Sequence, residues 1–351
     1  MNPPLLQVDG LCVSYAVGGG QRMRAVDGVS FDIARGETLA LVGESGCGKS
    51  SVARAVMQLA PASGGDIVLE GRSLARLSRG GLAPLRRRFQ MIFQDPISSL
   101  NPRRRVRDIL AAPLKVNGLY DGAGSQARIR EVLEIVGLDP AAALDRFAHE
   151  FSGGQCQRIS IARALILEPL LLVCDEPVSA LDVSVRAQVL NVLNGLRERP
   201  GLAMLFISHD LAVVRNVADR VAVMYLGRIV EIGDAGAVMQ RPAHPYTAAL
   251  LSAVPIADPD APALRIALAG EMPSPMALPS GCRFRSRCPS AQPRCAAEEP
   301  PLAPAEAGAA ARRIACHFPF SVSASGPASA GAAPGIAPSR SPGRSTPEEQ
   351  T

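Results

Sequence analysis

The sequence predicts an α/β fold built on a parallel sheet, and three observations lead there. Apolar strand-like runs alternate with helical patterns from Leu170 to Met224; a glycine-rich turn, Gly43 to Ser50, joins an apolar strand to a helix; and a mostly helical stretch, Val106 to Leu167, interrupts the series. Residues 5–42 read as short strands at a sheet edge, with Val29 to Ile33 and Thr38 to Val42 flanking a turn at Arg35-Gly36. Ser50 to Leu59 has helical composition, and Asp66 to Glu70 and Gln90 to Phe93 return to strand. Within the helical stretch, Gln126 to Val136 and Gln155 to Leu167 are the clearest segments. Strands are then expected at Leu170 to Cys174, Ala203 to Ile207 and Arg220 to Met224, with helices at Ser184 to Arg197 and Leu211 to Ala218 between them.

The α/β core is expected to close near Gly236, so that residues 1–236 form one domain with a helical subdomain at about 95–167 inserted into it. Residues 237–320 form a proline-rich extension with four cysteines. The Ala/Pro/Ser/Gly-rich tail, 321–351, has too little apolar surface to bury and is expected to be disordered. No internal repeat is visible.

At 351 residues and 47% hydrophobic composition the chain can fill a sizeable core. Its apolar runs fall far short of the roughly 20 residues of a spanning helix, and Met1 to Asp9 lacks the charged start and apolar centre of a secretory signal. The expectation is a chain that stays in the cytoplasm. Four scattered cysteines and one C-terminal group of four, without an export signal, argue for free thiols or metal ligation over a disulfide framework. The net charge of +5 and the short basic runs at Arg86 to Arg88 and Arg103 to Arg105 favour a solvated or partner-facing surface over nucleic-acid binding. Lys49 and Lys115 are the only lysines among 37 basic residues, which suggests that Lys49 does something arginine does not.

Gly43-Glu44-Ser45-Gly46-Cys47-Gly48-Lys49-Ser50 matches the phosphate-loop pattern in the strand-to-helix context that the pattern requires. Its glycines let backbone amides curl round the β- and γ-phosphates of a nucleotide, at the positive end of the following helix. Lys49 supplies a compact charge, Ser50 a magnesium ligand, and Ser51 adjoins them. Cys47, among those amides and beside Lys49 at a helix start, is expected to have a lowered pKa and to be reactive. Leu170 to Glu176 is an apolar strand ending in two acids, with Asp175 suited to position magnesium and Glu176 to act as general base toward water. Phe151-Ser152-Gly153-Gly154-Gln155 precedes a helix and offers a second anion site.

With that last motif the chain resembles the ABC ATPases over residues 5–236. The resemblance implies an ABC-type nucleotide-binding domain: a RecA-like parallel-sheet core, an N-terminal antiparallel β-subdomain and an inserted helical subdomain. It implies ATP and Mg2+, with Tyr15 stacked on adenine, Gln94 sensing magnesium and the membrane partner, Ser179-Ala180-Leu181-Asp182 contacting a second subunit, and His209 contacting the γ-phosphate. It also implies that Ser152, Gly153, Gly154 and Gln155 close on nucleotide held by the opposite subunit, so hydrolysis needs a dimer. Phe151 stands where leucine is usual.

Gln94 to Arg103, Ala180 to Gln188 and His244-Pro245-Tyr246-Thr247 resemble the oligopeptide and dipeptide importer subfamily, and Gly46-Cys47-Gly48 its second ATPase. This implies a second ATPase subunit, identical or not, two transmembrane permease subunits, an extracytoplasmic solute-binding protein, and a place at the cytoplasmic face of the plasma membrane. Importers of nickel or glutathione share these stretches; an ABC ATPase acting on nucleic acid or ribosomes is the other alternative. Cys282, Cys288, Cys295 and Cys316 resemble the subfamily's C-terminal module, for which the resemblance implies a [4Fe-4S] cluster, with zinc and unligated thiols as alternatives. His317 is expected to be solvated, and Cys12, Cys156 and Cys174 to be packing residues.

Overall fold

Strands that are apolar along most of their length must be covered on both faces, and this chain covers them with helices on one side and a second sheet, with one helix, on the other. The computed structural model describes residues 3–254, 266, 268, 270–305 and 312–320. The expected disordered tail, 321–351, lies outside the described residues.

The first two strands, β1 (Leu6–Val17) and β2 (Gln21–Ile33), are much longer than the short strands read from the sequence. They pair antiparallel across a turn of glycines, with register shifts that interrupt the alternation on which the sequence reading relied. With β4 (Gly64–Leu69) and β5 (Arg72–Ser73) they form a four-stranded antiparallel sheet in the order β2-β1-β4-β5.

The main sheet is built from β3 (Thr38–Val42), β6 (Phe89–Ile92), β7 (Leu171–Asp175), β8 (Ala203–Ser208) and β9 (Arg220–Tyr225), all parallel, in the order β9-β3-β8-β7-β6. Alternate residues serve two cores. Leu39, Leu41, Val173, Leu205 and Ile207 pack with the antiparallel sheet and the helix Lys49–Val56, while Ala40, Val42, Leu172, Cys174 and Phe206 pack with the helices of the other side. Those helices include Val106–Val116, Ala123–Ile135 and Gly153–Leu165 of the insertion, and Val183–Arg197 between β7 and β8.

The sheet continues where the sequence reading places no strand. β10 (Arg228–Asp234) turns back antiparallel on β9, and β11 (Ala303–Pro304) and β12 (Arg313–Ile314), from the cysteine-bearing extension, add to it in the order β11-β12-β10. Three buried arginines of the extension meet carboxylates of the nucleotide-motif region or its sheet. Arg283 pairs with Asp27 of β2, Arg287 with Glu44 of the glycine-rich loop, and Arg312 with Glu231 of β10. Burial pushes the Asp27 carboxyl up, but the Arg283 guanidinium bonded to it, with Arg228 and Arg24 nearby, outweighs burial and holds it below its ordinary value. Tyr225 at the end of β9, Tyr246 of the helix Pro245–Ser252 and Phe284 meet edge-on or tilted, with ring centroids 4.8–5.4 Å apart.

Glu231 is fully buried and also accepts from the backbone amides of Ala243 and His244 at 3.1 and 3.0 Å. Removing its guanidinium leaves a buried charge without a counter-ion. Arg312→Met is expected to cost about 3–5 kcal/mol in urea unfolding, and Arg312→Met with Glu231→Gln to recover part of it. A loss below about 1 kcal/mol in the single variant would show that the pair does not hold the extension to the sheet.

Candidate nucleotide and hydrolysis site

The glycine-rich loop leaves β3 through three residues with left-handed or related backbone: Gly43, Gly46 and Gly48, at φ 152°, 82° and 109°. Close approach also demands glycine at two of them. A Cβ on Gly43 would lie 2.2 Å from the Met224 carbonyl oxygen, and one on Gly48 2.3 Å from that of Ala25. Ser45 and Gly46 are exposed at the rim, while Cys47 is buried beneath. Lys49 begins the helix and is only 4% exposed; its Nζ donates to the carbonyls of Gly43 and Glu44 at 2.8 and 3.0 Å, which holds the ammonium within the curl of the loop.

Beside the loop, Ser50 Oγ donates to Asp175 Oδ1 at 2.9 Å, joining the start of the helix to the end of β7. Burial, the largest influence, pushes the Asp175 carboxyl up, and neighbouring Glu176 adds to this against the bond from Ser50 and the charges of Arg54 and Lys49. A hydroxyl and a buried carboxylate beside the glycine-rich loop are a donor set suited to a hard divalent cation bound with phosphates.

Glu176 follows immediately, and its backbone is left-handed at φ 46°, unusual for a residue with a side chain. Its amide donates to the Ile207 carbonyl at 3.1 Å. Gln94 Nε2 donates to Glu176 Oε2 at 3.2 Å, and His209 Nδ1 lies 3.2 Å from the same oxygen. Thus residues from the ends of β6, β7 and β8 converge on one carboxylate. The sequence singled out all three separately, Glu176 from the acid pair that ends its strand and Gln94 and His209 only through the family resemblance. Tyr15 of β1 donates through its hydroxyl to Ser51 Oγ at 3.3 Å, so it too sits by the loop helix.

Ser152, Gly153, Gly154 and Gln155 are not brought to the loop. Ser152 caps the helix Gly153–Leu165, accepting from the Gln155 amide at 3.4 Å while Gln155 Oε1 accepts from the Ser152 amide at 3.0 Å. Gly154 is required by packing, since a Cβ there would lie 2.0 Å from Val185 Cγ1.

Of the cysteine expectations, that for Cys47 is reversed and that for the C-terminal four finds no support. Cys47 was expected to be acidic because of its amides and Lys49; burial, at 1% exposure, outweighs both and raises its pKa. Cys282, Cys288, Cys295 and Cys316 do line one small pocket, but among the described residues no group of three or more His, Cys, Asp or Glu side chains is disposed to hold a metal ion. The [4Fe-4S] cluster that the resemblance implied is therefore unsupported. Burial, with the proximity of the other thiols, raises Cys316 to about 11, and burial also raises Cys282 and Cys288. His317 Nε2 is 3.0 Å from the Glu298 carbonyl. The basic run at 86–88 is partly consumed internally, Arg88 by Glu70 and Arg86 by the carbonyls of Met57 and Gln58.

An amide-lined loop, an acid pair at the end of the adjacent parallel strand and a capped serine-glycine helix define a phosphate-loop ATPase of the ABC type. Residues 26–179 match the ABC transporter family model, and residues 230–295 that of the oligopeptide/dipeptide transporter C-terminal region. The oligopeptide transport ATP-binding protein OppF of Escherichia coli is 49% identical over 312 residues, covering 85% of this chain and 92% of that protein. Among solved structures, cbiO1 of Clostridium perfringens, part of the ABC transporter complex cbiONQ, aligns with a TM-score of 0.60 at 26% identity, over 68% of this chain and 92% of that one. The dimeric structure of MJ0796, a bacterial ABC transporter cassette, aligns at 0.59 and 26% identity, over 66% and 98%. The chain belongs to the ATP-binding subunits of ABC transporters, in the oligopeptide/dipeptide group.

A buried thiol reacts only when the loop opens. Native protein is expected to alkylate at Cys47 with iodoacetamide at pH 8 at least about tenfold more slowly than the unfolded chain, by peptide mass spectrometry; equal rates would restore the reactive-thiol reading.

Proposed function

We propose that this chain hydrolyses ATP to power the import of di- and oligopeptides through a membrane transporter, acting as one of two paired cassettes. The observation that carries the reading is Glu176, held at one oxygen by both Gln94 and His209 beside the Ser50–Asp175 pair. The match of residues 230–295 to the oligopeptide/dipeptide C-terminal region favours peptides over nickel or glutathione.

In this reading the amides of Gly43 and of residues 45–51, with the Lys49 ammonium, bind the β- and γ-phosphates, and Tyr15 lies against the adenine. Ser50, Asp175 and Gln94 would hold Mg2+, which when bound neutralises charge on the phosphates. Gln94 and His209 fix Glu176 through Oε2, leaving Oε1 to orient a water and take its proton. Ser152 and the amides of Gly153, Gly154 and Gln155 contribute to the nucleotide of the companion cassette, which explains why one chain alone keeps them apart from its own loop.

Among the described residues no helix is long and apolar enough to cross a membrane, so the peptide path belongs to other subunits. Two permease subunits, a second ATPase of the same or a related sequence, and an extracytoplasmic binding protein complete the assembly, with this chain at the cytoplasmic face of the plasma membrane. No nucleic-acid partner is needed.

Lys49→Ala is expected to abolish ATP binding, whereas Glu176→Gln keeps binding, lowers turnover at least about a hundredfold and accumulates an ATP-bound dimer seen by size-exclusion chromatography. A Glu176→Gln variant that turns over normally removes Glu176 as the base.

A further inference from the structure

Glu44 is the only carboxylate within the glycine-rich loop, so its negative charge lies next to the amides assigned to the proposed phosphates. Three residues from the part of the chain beyond the core ATPase region attend to this loop. Arg287 Nη1 and Nη2 donate to the two Glu44 carboxylate oxygens at 2.6 and 3.0 Å. The Glu44 amide donates to Tyr246 Oη at 2.9 Å, and a Cβ on Gly46 would lie 3.5 Å from Met272 Cε. The Glu44 carbonyl in turn accepts from Lys49 Nζ, so the residue that Arg287 grips also helps to hold the loop lysine.

The pair is not an ordinary surface contact. The Arg287 side chain is 6% exposed, and its guanidinium sits 5.9 Å from the centre of the fully buried Tyr225 ring. A planar two-point grip fixes orientation as well as charge, which a lysine would not reproduce. A loop carboxylate left alone would repel a triphosphate through a medium less polarisable than water.

We propose that Arg287, from the cysteine-bearing extension, is a positioning residue of the nucleotide site: it neutralises Glu44 and fixes the first half of the phosphate loop, so that the extension completes the ATP site. The proposal rests on the assignment of residues 43–51 to nucleotide phosphates. It also separates Arg287 from Arg283 and Arg312, which pair with carboxylates outside the loop and serve docking alone.

The test is calorimetric binding of Mg–ATP and Mg–ADP to the full-length chain. Arg287→Ala is expected to raise the Kd for ATP about tenfold and that for ADP about threefold, because the unanswered Glu44 charge acts more strongly on the nucleotide with more phosphate charge. Adding Glu44→Gln removes that charge and is expected to bring both back to within about threefold of the wild type, while Arg287→Lys restores only part. Arg312→Met, which weakens docking elsewhere, is expected to leave the ATP-to-ADP ratio unchanged. Should Arg287→Ala not fold, Arg287→Gln is compared with Arg287→Gln/Glu44→Gln, a neutral pair of nearly the same shape. Unchanged ATP affinity in the Arg287 variants, an equal loss for both nucleotides, or no rescue by Glu44→Gln overturns the proposal. Wild-type protein that does not bind Mg–ATP, or binds it no better than Lys49→Ala, would instead overturn the nucleotide-site assignment.

Discussion

A carboxylate taken wholly or partly out of water must be given a cation or enough hydrogen-bond donors, and the architecture of this chain follows that demand at buried Asp27 and Glu231 and at half-buried Glu44. Each is answered by a buried arginine from residues 283–312. The extension is therefore not a loose appendage after the ATPase. Its two short strands lengthen the main sheet, Phe284 packs against Tyr225 and Tyr246, and the arginines pin it at three places. In a chain with only 4% aromatic residues, that shared aromatic cluster and the paired charges supply much of the cohesion at this boundary.

The same boundary passes through the glycine-rich loop of the proposed nucleotide site. Gly43 and Gly48 are crowded by carbonyls of Met224 and Ala25, so the loop is moulded by β2 and β9 as well as by its own sequence. Lys49 is held by the loop it serves, and Glu44 ties that loop to the extension. A change in how the extension sits would thus reach Lys49 through two bonds, from Arg287 to Glu44 and from Glu44 to Lys49. The cysteine-lined pocket adjoins this route, since Cys288 follows Arg287 directly.

The strained backbone of Glu176 has a parallel logic. Left-handed φ at a glutamate persists only if its surroundings hold it, and here the Ile207 carbonyl, Gln94 and His209 do so from neighbouring strands. Strain and hydrogen bonds together aim one carboxylate oxygen. The serine-glycine helix is equally well formed within one chain, and its capping bonds are all internal.

By itself the sequence determined the parallel-strand core and the nucleotide motifs, because both are written in short-range terms. An unbroken apolar run means a strand covered on both faces, and a glycine-rich turn between strand and helix means a backbone free to wrap an anion. Only the tertiary structure decided what depends on residues far apart along the chain. It lengthened β1 and β2 across register shifts that hide their alternation, added β10, β11 and β12 to the sheet, and paired Arg287 with Glu44 across more than 240 positions. It also reversed the expectation for Cys47, since proximity to amides and a lysine can be read from neighbours in sequence, whereas burial is set by everything that folds over it.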